Sequence, residues 1–137
     1  MREQPSPDLD AALVLGMAST AIPFARSRDE EAERWLRILR LYGEAGAALQ
    51  ALGVSEGPLE VAAAGDGESA APDAGDVVTR VGDAAAAAAA RKHEQCFTTV
   101  DVLEAVIDVY GHDFNQVLRA HGTDRQEVLE RLHPMAA

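Results

Sequence analysis

The sequence predicts an all-α protein built from two tandem, pseudo-twofold repeats of four helices each, eight helices in all. Apolar residues recur at helical spacing along most of the chain, and no segment alternates as a strand would. A displacement of 68 positions brings Tyr42-Gly43 onto Tyr110-Gly111. After one inserted residue, the segment 49–54 falls on the segment 118–123. A repeat of this period indicates one helical unit used twice.

The predicted repeats divide the chain into four segments. Residues 1–7 are a polar lead with two prolines, and residues 8–64 are the first repeat. Residues 65–75 lack periodicity and have the composition of a flexible linker, and residues 76–133 are the second repeat. We expect the two repeats to share one core and form one domain, because either half alone is small.

In the first repeat, Asp8 is predicted to cap the first helix, and Ser27 with Glu30 has the capping-box pattern that opens a second helix at 29–43. A third helix ends at Gly53, and a fourth begins near Ser55. The residues expected to be buried share helical spacing: Leu9, Ala12, Leu13, Gly16, Met17, Thr20 and Ala21 in the first helix, and Trp35, Ile38, Leu39 and Tyr42 in the second.

In the second repeat, Asp76 is predicted to cap a long helix, and Thr98 or Thr99 to cap the next. Thr123 with Gln126 has the capping-box pattern of the last helix. The residues expected to be buried follow the same spacing: Val77, Val81, Ala84, Ala85 and Ala88; Val100, Leu103, Val106, Ile107 and Tyr110; Phe114, Val117, Leu118 and His121; Val128, Leu129 and Leu132.

Composition narrows the function classes and the compartment. The 137 residues carry a net charge of -11, which disfavours nucleic-acid and anionic-membrane partners and favours a basic one. The single cysteine, Cys96, cannot form an intramolecular disulfide, no apolar run is long enough to span a membrane, and no signal sequence opens the chain. We expect a cytoplasmic protein.

The sequence offers little for catalysis or for a metal. His93, Glu94 and Cys96 lie close together, but the second histidine of a His-Glu-x-x-His zinc motif is missing. His121 lies on an apolar helix face, which is typical of a hydrogen-bonded core histidine. No nucleophile can be matched with a base. We therefore expect no enzyme, no cofactor and no metal, and we disfavour the alternative of a small helical enzyme or metal protein.

Segment 90–103 resembles the signature of the Clp ATPase N-terminal domain, the Clp repeat family. In that family a basic, His-containing helix end leads to Thr-x-Glu-His-Leu-Leu, and here the text is Arg-Lys-His-Glu-Gln-Cys-Phe-Thr-Thr-Val-Asp-Val-Leu. The segments 117–122 and 48–53 are similar to the family's third helix, and the resemblance extends over residues 8–133. It implies a pseudo-twofold pair of four-helix repeats that docks substrates and adaptor proteins.

The chain has no Gly-x-x-x-x-Gly-Lys-[Ser/Thr] phosphate loop, so it cannot hydrolyse ATP as the family's motor modules do. The resemblance therefore implies a non-catalytic protein- or peptide-binding module, acting as adaptor, substrate-docking or decoy protein for a Clp unfoldase or protease. The alternative is an excised N-terminal domain of a larger Clp-type or regulatory protein.

The resemblance also implies candidate ligand-binding residues. Some family members bind phosphorylated arginine with the glutamate of Thr-x-Glu-His and a helix-capping threonine. These positions correspond here to Glu33 and Asp101, and to Asp8 and Asp76, with Thr79 as a substitute hydroxyl. Aspartates at the cap would repel a phosphate and suit an unmodified arginine, so arginine-bearing peptides are the expected ligands. The alternative is that these residues only cap helices.

Overall fold

Seven α-helices account for most of the residues that the structure, a computed structural model, describes. These residues are 5–54 and 74–133. The helices are α1 (Leu9–Ala21), α2 (Arg28–Leu39), α3 (Gly43–Ala51), α4 (Ala74–Arg91), α5 (Thr99–Tyr110), α6 (His112–Ala120) and α7 (Arg125–Leu132), with a 3-10 turn at Ile22–Phe24. The predicted all-α class is confirmed. The predicted fourth helix, and the linker up to residue 73, lie outside the described residues.

Three of the predicted helix starts are confirmed by side-chain caps. The Asp8 carboxylate accepts the Ala11 N–H at 2.9 Å, and the Ser27 hydroxyl accepts the Glu30 N–H at 3.1 Å. Thr98 opens α5 with a complete capping box, in which Asp101 accepts the Thr98 N–H. These short polar side chains satisfy helix N–H groups that have no partner within the helix.

Two other predicted starts are wrong. Asp124, not Thr123, caps α7, and its carboxylate accepts the Glu127 N–H at 2.9 Å. The Thr123 hydroxyl donates instead to Glu127 Oε1 at 2.6 Å, and the Thr123 N–H closes the end of the preceding helix on the Leu118 carbonyl. Helix α4 begins at Ala74, inside the predicted linker, so Asp76 lies in the first turn of α4 and not at its cap.

Helices α3 and α6 end in the same way. Gly53 and Gly122 have φ angles of 96° and 94°, and in each case the N–H of the next residue donates to the carbonyl five positions earlier at 3.0 Å. This is the Schellman motif, in which a left-handed residue, usually glycine, closes the helix. The segments 49–54 and 118–123, matched by sequence, therefore have matching backbones at these ends.

Helix α1 buries the face opposite to the predicted one. Its buried residues are Ala11, Val14 and Ala18, whereas Leu9 and Leu13 are exposed. Of the residues predicted to be buried, Met17 and Ala21 are partly buried and pack against the core. Both faces of α1 are apolar, so helical periodicity alone could not choose between them. The small side chains of the buried face let α1 pack closely against α2, α4 and α5.

Two short strands join the beginnings of α1 and α5, where the sequence predicts no strand. Ser6–Pro7 pairs in parallel with Cys96–Phe97, and the Asp8 N–H donates to the Phe97 carbonyl at 2.9 Å. The strand-free expectation is wrong here because each segment is too short to show alternation. The pairing sets the N-termini of α1 and α5 side by side.

One core contains buried residues from both described segments. Trp35, Leu36, Leu103 and Phe114 are fully buried in the same cluster. Helix α2 packs against α5 and α6, and α3 packs against α5 and α7. Residues 5–54 and 74–133 therefore stabilise each other.

The closest approach between α3 and α5 depends on a glycine. Gly43 has a φ of 68°, and a Cβ there would collide with the Thr99 hydroxyl. That hydroxyl accepts the Ala45 N–H at 3.2 Å and so satisfies a group in the first turn of α3. Glycine is required both for the backbone angle and for the contact.

Candidate functional site

Asp101, a predicted ligand-binding residue, is buried and fully engaged inside the protein. One carboxylate oxygen accepts the Thr98 N–H at 3.0 Å, and the other lies 2.7 Å from Lys92 Nζ. Its side chain is 0% exposed. The hydrogen bond to Asp101 raises the pKa of Lys92 above that of an ordinary lysine. An arginine ligand would have to displace Lys92 to reach this carboxylate.

Glu33 lies in the second turn of α2, not at the exposed helix start where it was expected. Its carboxylate pairs with Arg37 Nε at 2.6 Å and with His121 Nε2 at 3.2 Å. The His121 side chain is only 3% exposed, which confirms it as a hydrogen-bonded core histidine. The prediction for Glu33 is wrong because the N-caps Ser27 and Thr98 are 71 positions apart, one helical turn beyond the 68-residue register.

Glu30 is therefore the positional counterpart of Asp101, three residues after the N-cap of α2. It is partly exposed, its Oε1 accepts the Arg26 N–H at 2.9 Å, and its Oε2 lies 2.7 Å from Arg34. The Arg26 N–H is the main cause that lowers the pKa of Glu30, and Arg34 adds to it. The sequence had a signal for this assignment, namely the capping pattern Ser27-x-x-Glu30.

The remaining predicted site residues do not assemble into two equivalent pockets. Asp8 lies at the start of α1, beside the start of α5. It is therefore close to the helix that carries Asp101 and not to Glu33 in α2. Thr79 is exposed on α4, and the side chain of Asp76 lies outside the described residues. Glu33, which was expected to act with Asp8, is instead next to Arg34, whose guanidinium donates to the Ala21 carbonyl at the opposite end of α1.

A buried polar chain that sequence reasoning missed connects α2 and α5. Trp35 Nε1 donates to the Tyr110 hydroxyl at 3.1 Å, and that hydroxyl donates to Glu31 Oε1 at 2.7 Å. Burial raises the pKa of Tyr110, and Glu31 reinforces the effect. The second Glu31 oxygen is buried without a partner among the described residues. The available signal was the spacing of Glu31 and Trp35, four residues apart on one helix face.

An exposed apolar surface follows the outer side of α1, which we name the α1 surface. At 100° per residue its members in α1 fall within a sector of roughly 100°. They are Leu9, Leu13, Gly16, Met17 and Thr20, and Phe24 in the following 3-10 turn extends the surface. Met17 is half-buried at the edge of this surface and also packs against the core. Leu9 is 75% exposed, Leu13 41% and Phe24 74%. Contiguous exposed apolar residues of this kind are typical of interaction surfaces.

An open depression of about 450 Å³ lies between α5, α6 and α7. Its walls carry two acidic side chains, Asp108 and Asp124, and two basic ones, Arg119 and Arg125. Ligand sites are usually enclosed and largely apolar, with a few convergent polar groups. This depression is open, and its two acidic and two basic side chains give it no net charge, so the α1 surface is the stronger candidate.

The residues considered as metal ligands, His93, Glu94 and Cys96, are exposed and do not form a metal-binding cluster. His93 adopts a positive φ of 62° in the turn after α4, and the Cys96 thiol is exposed in the second strand. Within residues 5–54 and 74–133, no three His, Cys, Asp or Glu side chains gather as a metal ion would require. None of the helices in these ranges has the length and apolar character needed to cross a membrane.

Comparison of the chain with protein families, with curated proteins and with solved structures returns no match.

Proposed function

We propose that this chain is a non-catalytic protein-binding module of the Clp N-terminal type, composed of two tandem Clp-like repeats and active in the cytoplasm. Its ligands are proteins or peptides, namely the clients or subunits of a Clp unfoldase or protease. It acts on them as an adaptor, a docking site or a decoy. The observation that carries the proposal is the exposed α1 surface.

The α1 surface is unusually apolar for an exposed surface of a chain with so many charged residues. Charged residues make up 26% of the chain, yet the six residues of the α1 surface include none. The opposite face of the same helix already supplies the core contacts through Ala11, Val14 and Ala18. Within residues 5–54 and 74–133, Leu9, Leu13 and Phe24 remain exposed, and burial against a partner would stabilise a complex.

The charge of the chain indicates which partner this surface takes. With a net charge of -11, the chain attracts a segment that carries basic residues beside its apolar ones. The first turn of α1 adds Asp10 next to the apolar side chains. We therefore assign the α1 surface to an amphipathic, basic segment of a partner protein. Arginine in such a segment adds to the attraction without entering the pairs that Glu33 and Asp101 already make.

The test uses a labelled 20-residue peptide with leucine on one helical face and lysine on the other, titrated with dilute protein by fluorescence anisotropy. Leu13→Asp places a charge in the middle of the α1 surface and should weaken binding about tenfold or more. Leu41→Asp is the matched control, because Leu41 is 47% exposed and lies outside the α1 surface. Equal binding of a scrambled peptide, or unchanged binding by Leu13→Asp, would contradict the proposal.

The link to a Clp system needs a separate measurement. The wild-type chain and Leu13→Asp are used as baits in native cytosol, and Clp ATPase and protease subunits are quantified among the bound proteins. We expect Clp subunits with the wild type and a clear loss with Leu13→Asp, because the α1 surface is the docking site. Peptide binding without any Clp subunit would keep the binding function and remove the Clp assignment.

A further inference from the structure

We propose that a second copy of this chain covers the α1 surface, so that an antiparallel pair of α1 helices forms a weak dimer that regulates access to the docking site. This inference rests on the proposed function of the α1 surface. When no partner protein is bound, the second copy occupies the α1 surface.

The order of residues along α1 and the 3-10 turn that follows it fits a two-fold axis. An axis between Gly16 and Met17 would bring Leu9 of one copy opposite Phe24 of the other, and Leu13 opposite Thr20. The two most exposed apolar side chains, Leu9 at 75% and Phe24 at 74%, would then cover each other at both ends. A self-complementary patch of this kind is what an isologous dimer interface requires.

The distribution of charge favours the same arrangement. The chain carries 11 net negative charges, so two copies repel each other unless the contact itself avoids acidic side chains. The α1 surface has no charged member. Its flanks carry opposite charges, with Asp10 in the first turn of α1 and the exposed Arg26 just after Phe24. In an antiparallel pair, Asp10 of each copy lies at the end occupied by Arg26 of the other, which gives attraction at both ends.

Gly16 provides the close approach at the centre. It lies in the interior of α1, where glycine is less favourable than alanine because of its backbone entropy. A Cβ at this position would meet nothing within 4 Å, so no contact in the described part of the chain requires glycine. Two helix backbones can approach closely where glycine replaces a larger residue, and the proposed axis passes beside Gly16.

An interface of one helix pair is small, and the dimer is therefore expected to be weak and dependent on concentration. At low concentration the α1 surface is open to a partner protein. At high concentration a second copy covers it. A basic amphipathic segment that binds the monomer would pull the equilibrium away from the dimer by mass action.

The first experiment is sedimentation equilibrium of the full chain from about 1 μM to 1 mM. We expect a monomer–dimer equilibrium that Leu13→Asp weakens at least about tenfold and that Leu41→Asp leaves within about twofold. Asp10→Arg and Arg26→Glu should each weaken the dimer several-fold, and the double variant should restore it because the reversed pairs attract again. A wild-type monomer throughout, equal effects of both leucine variants, or no restoration would overturn the inference.

The second experiment separates this inference from the proposed function. The amphipathic peptide is added to protein at a concentration where the dimer predominates, and we expect the dimer to dissociate while the scrambled peptide leaves it intact. Peptide binding to a chain that never dimerises would overturn the inference and leave the proposed function standing. A dimer that Leu13→Asp disrupts, but that binds no peptide at any concentration, would end the proposed function and reduce the α1 surface to self-association.

Discussion

Helices α2 and α5 begin with the same local pattern and use it in different surroundings. Each has a hydroxyl N-cap followed three residues later by an acid, Ser27 with Glu30 and Thr98 with Asp101. Glu30 stays partly exposed and pairs with Arg34, whereas Asp101 is buried beneath Lys92. The local sequence determines where a helix starts, but the packing above that start decides whether its acid contributes to a surface or to the core.

A similar contrast holds at the two Tyr-Gly pairs, although Tyr42-Gly43 begins α3 and Tyr110-Gly111 ends α5. Tyr110 is buried and makes two hydrogen bonds, while the Tyr42 hydroxyl makes none among the described residues. Gly43 lies against Thr99, while a Cβ at Gly111 would meet nothing within 4 Å. Positions that are equivalent in sequence thus differ in what a substitution should cost, and the following predictions measure that difference.

The largest cost of a single substitution is expected in the comparison of the two glycines. Gly43→Ala should cost about 3 kcal/mol of folding free energy, because strain from the positive φ adds to the collision with Thr99. Gly111→Ala should cost only the backbone strain, about 2 kcal/mol or less. Urea unfolding of both variants provides the comparison.

The variant Thr99→Ala tests whether the collision is the cause. In the Thr99→Ala background, Gly43→Ala should become about 1 kcal/mol less costly, while Gly111→Ala should cost the same as before. An unchanged cost at Gly43 would show that backbone strain alone requires the glycine, and that the approach of Thr99 is incidental.

A smaller cost is expected in the comparison of the two tyrosines. Tyr110→Phe should cost about 2 kcal/mol, because Glu31 and Trp35 lose their shared partner in the core. Tyr42→Phe should change stability by less than about 0.5 kcal/mol. Thermal and urea unfolding, read by the fluorescence of the single tryptophan, measure both. Similar costs for the two variants would mean that the buried chain contributes nothing specific.

The smallest of the three costs is expected in the comparison of the two ion pairs. Lys92→Met should cost about 1.5 kcal/mol, because it leaves the buried Asp101 carboxylate with only its backbone partner. Arg34→Met should cost about 0.5 kcal/mol or less, since Glu30 is partly exposed. Equal costs would show that burial of Asp101 does not strengthen its pairing.

The pH dependence of these pairs has opposite signs. The pKa of Lys92 is raised by folding, so its stabilisation is complete below about pH 10 and is lost as the pH rises through the raised value. The pKa of Glu30 is lowered, so its stabilisation is lost as the pH falls below its ordinary value of 4.5. Tyr110, whose pKa is also raised, adds to the alkaline loss, and Tyr110→Phe measures its share separately.

Much of the fold could be predicted from local sequence. The caps Asp8, Ser27 and Thr98 were predicted correctly because a cap is a contact between residues at most three positions apart. Gly53 and Gly122 were identified as helix ends for the same reason. Burial of Trp35 and Phe114 followed from the spacing of large apolar residues on single helices.

The candidate site was less predictable, because it depends on contacts between distant residues. The 68-residue register aligned Glu33 with Asp101, yet Glu33 pairs with His121, 88 positions away. Lys92 reaches Asp101 across the turn and strand between α4 and α5. The spacing of residues in the sequence does not predict such pairs, because they form only when separate helices pack together.

The sequence by itself determined the all-α class and most helix boundaries, because these depend on neighbouring residues along a helix. Its composition determined that the chain is acidic and has enough apolar residues for one core. Only the tertiary structure decided which face of α1 is buried. Both faces are apolar, so the choice depended on which one could approach α2 and α4 most closely, and the small residues Ala11 and Ala18 could. Leu9 and Leu13 remain exposed on the α1 surface, and we propose that this surface carries the function.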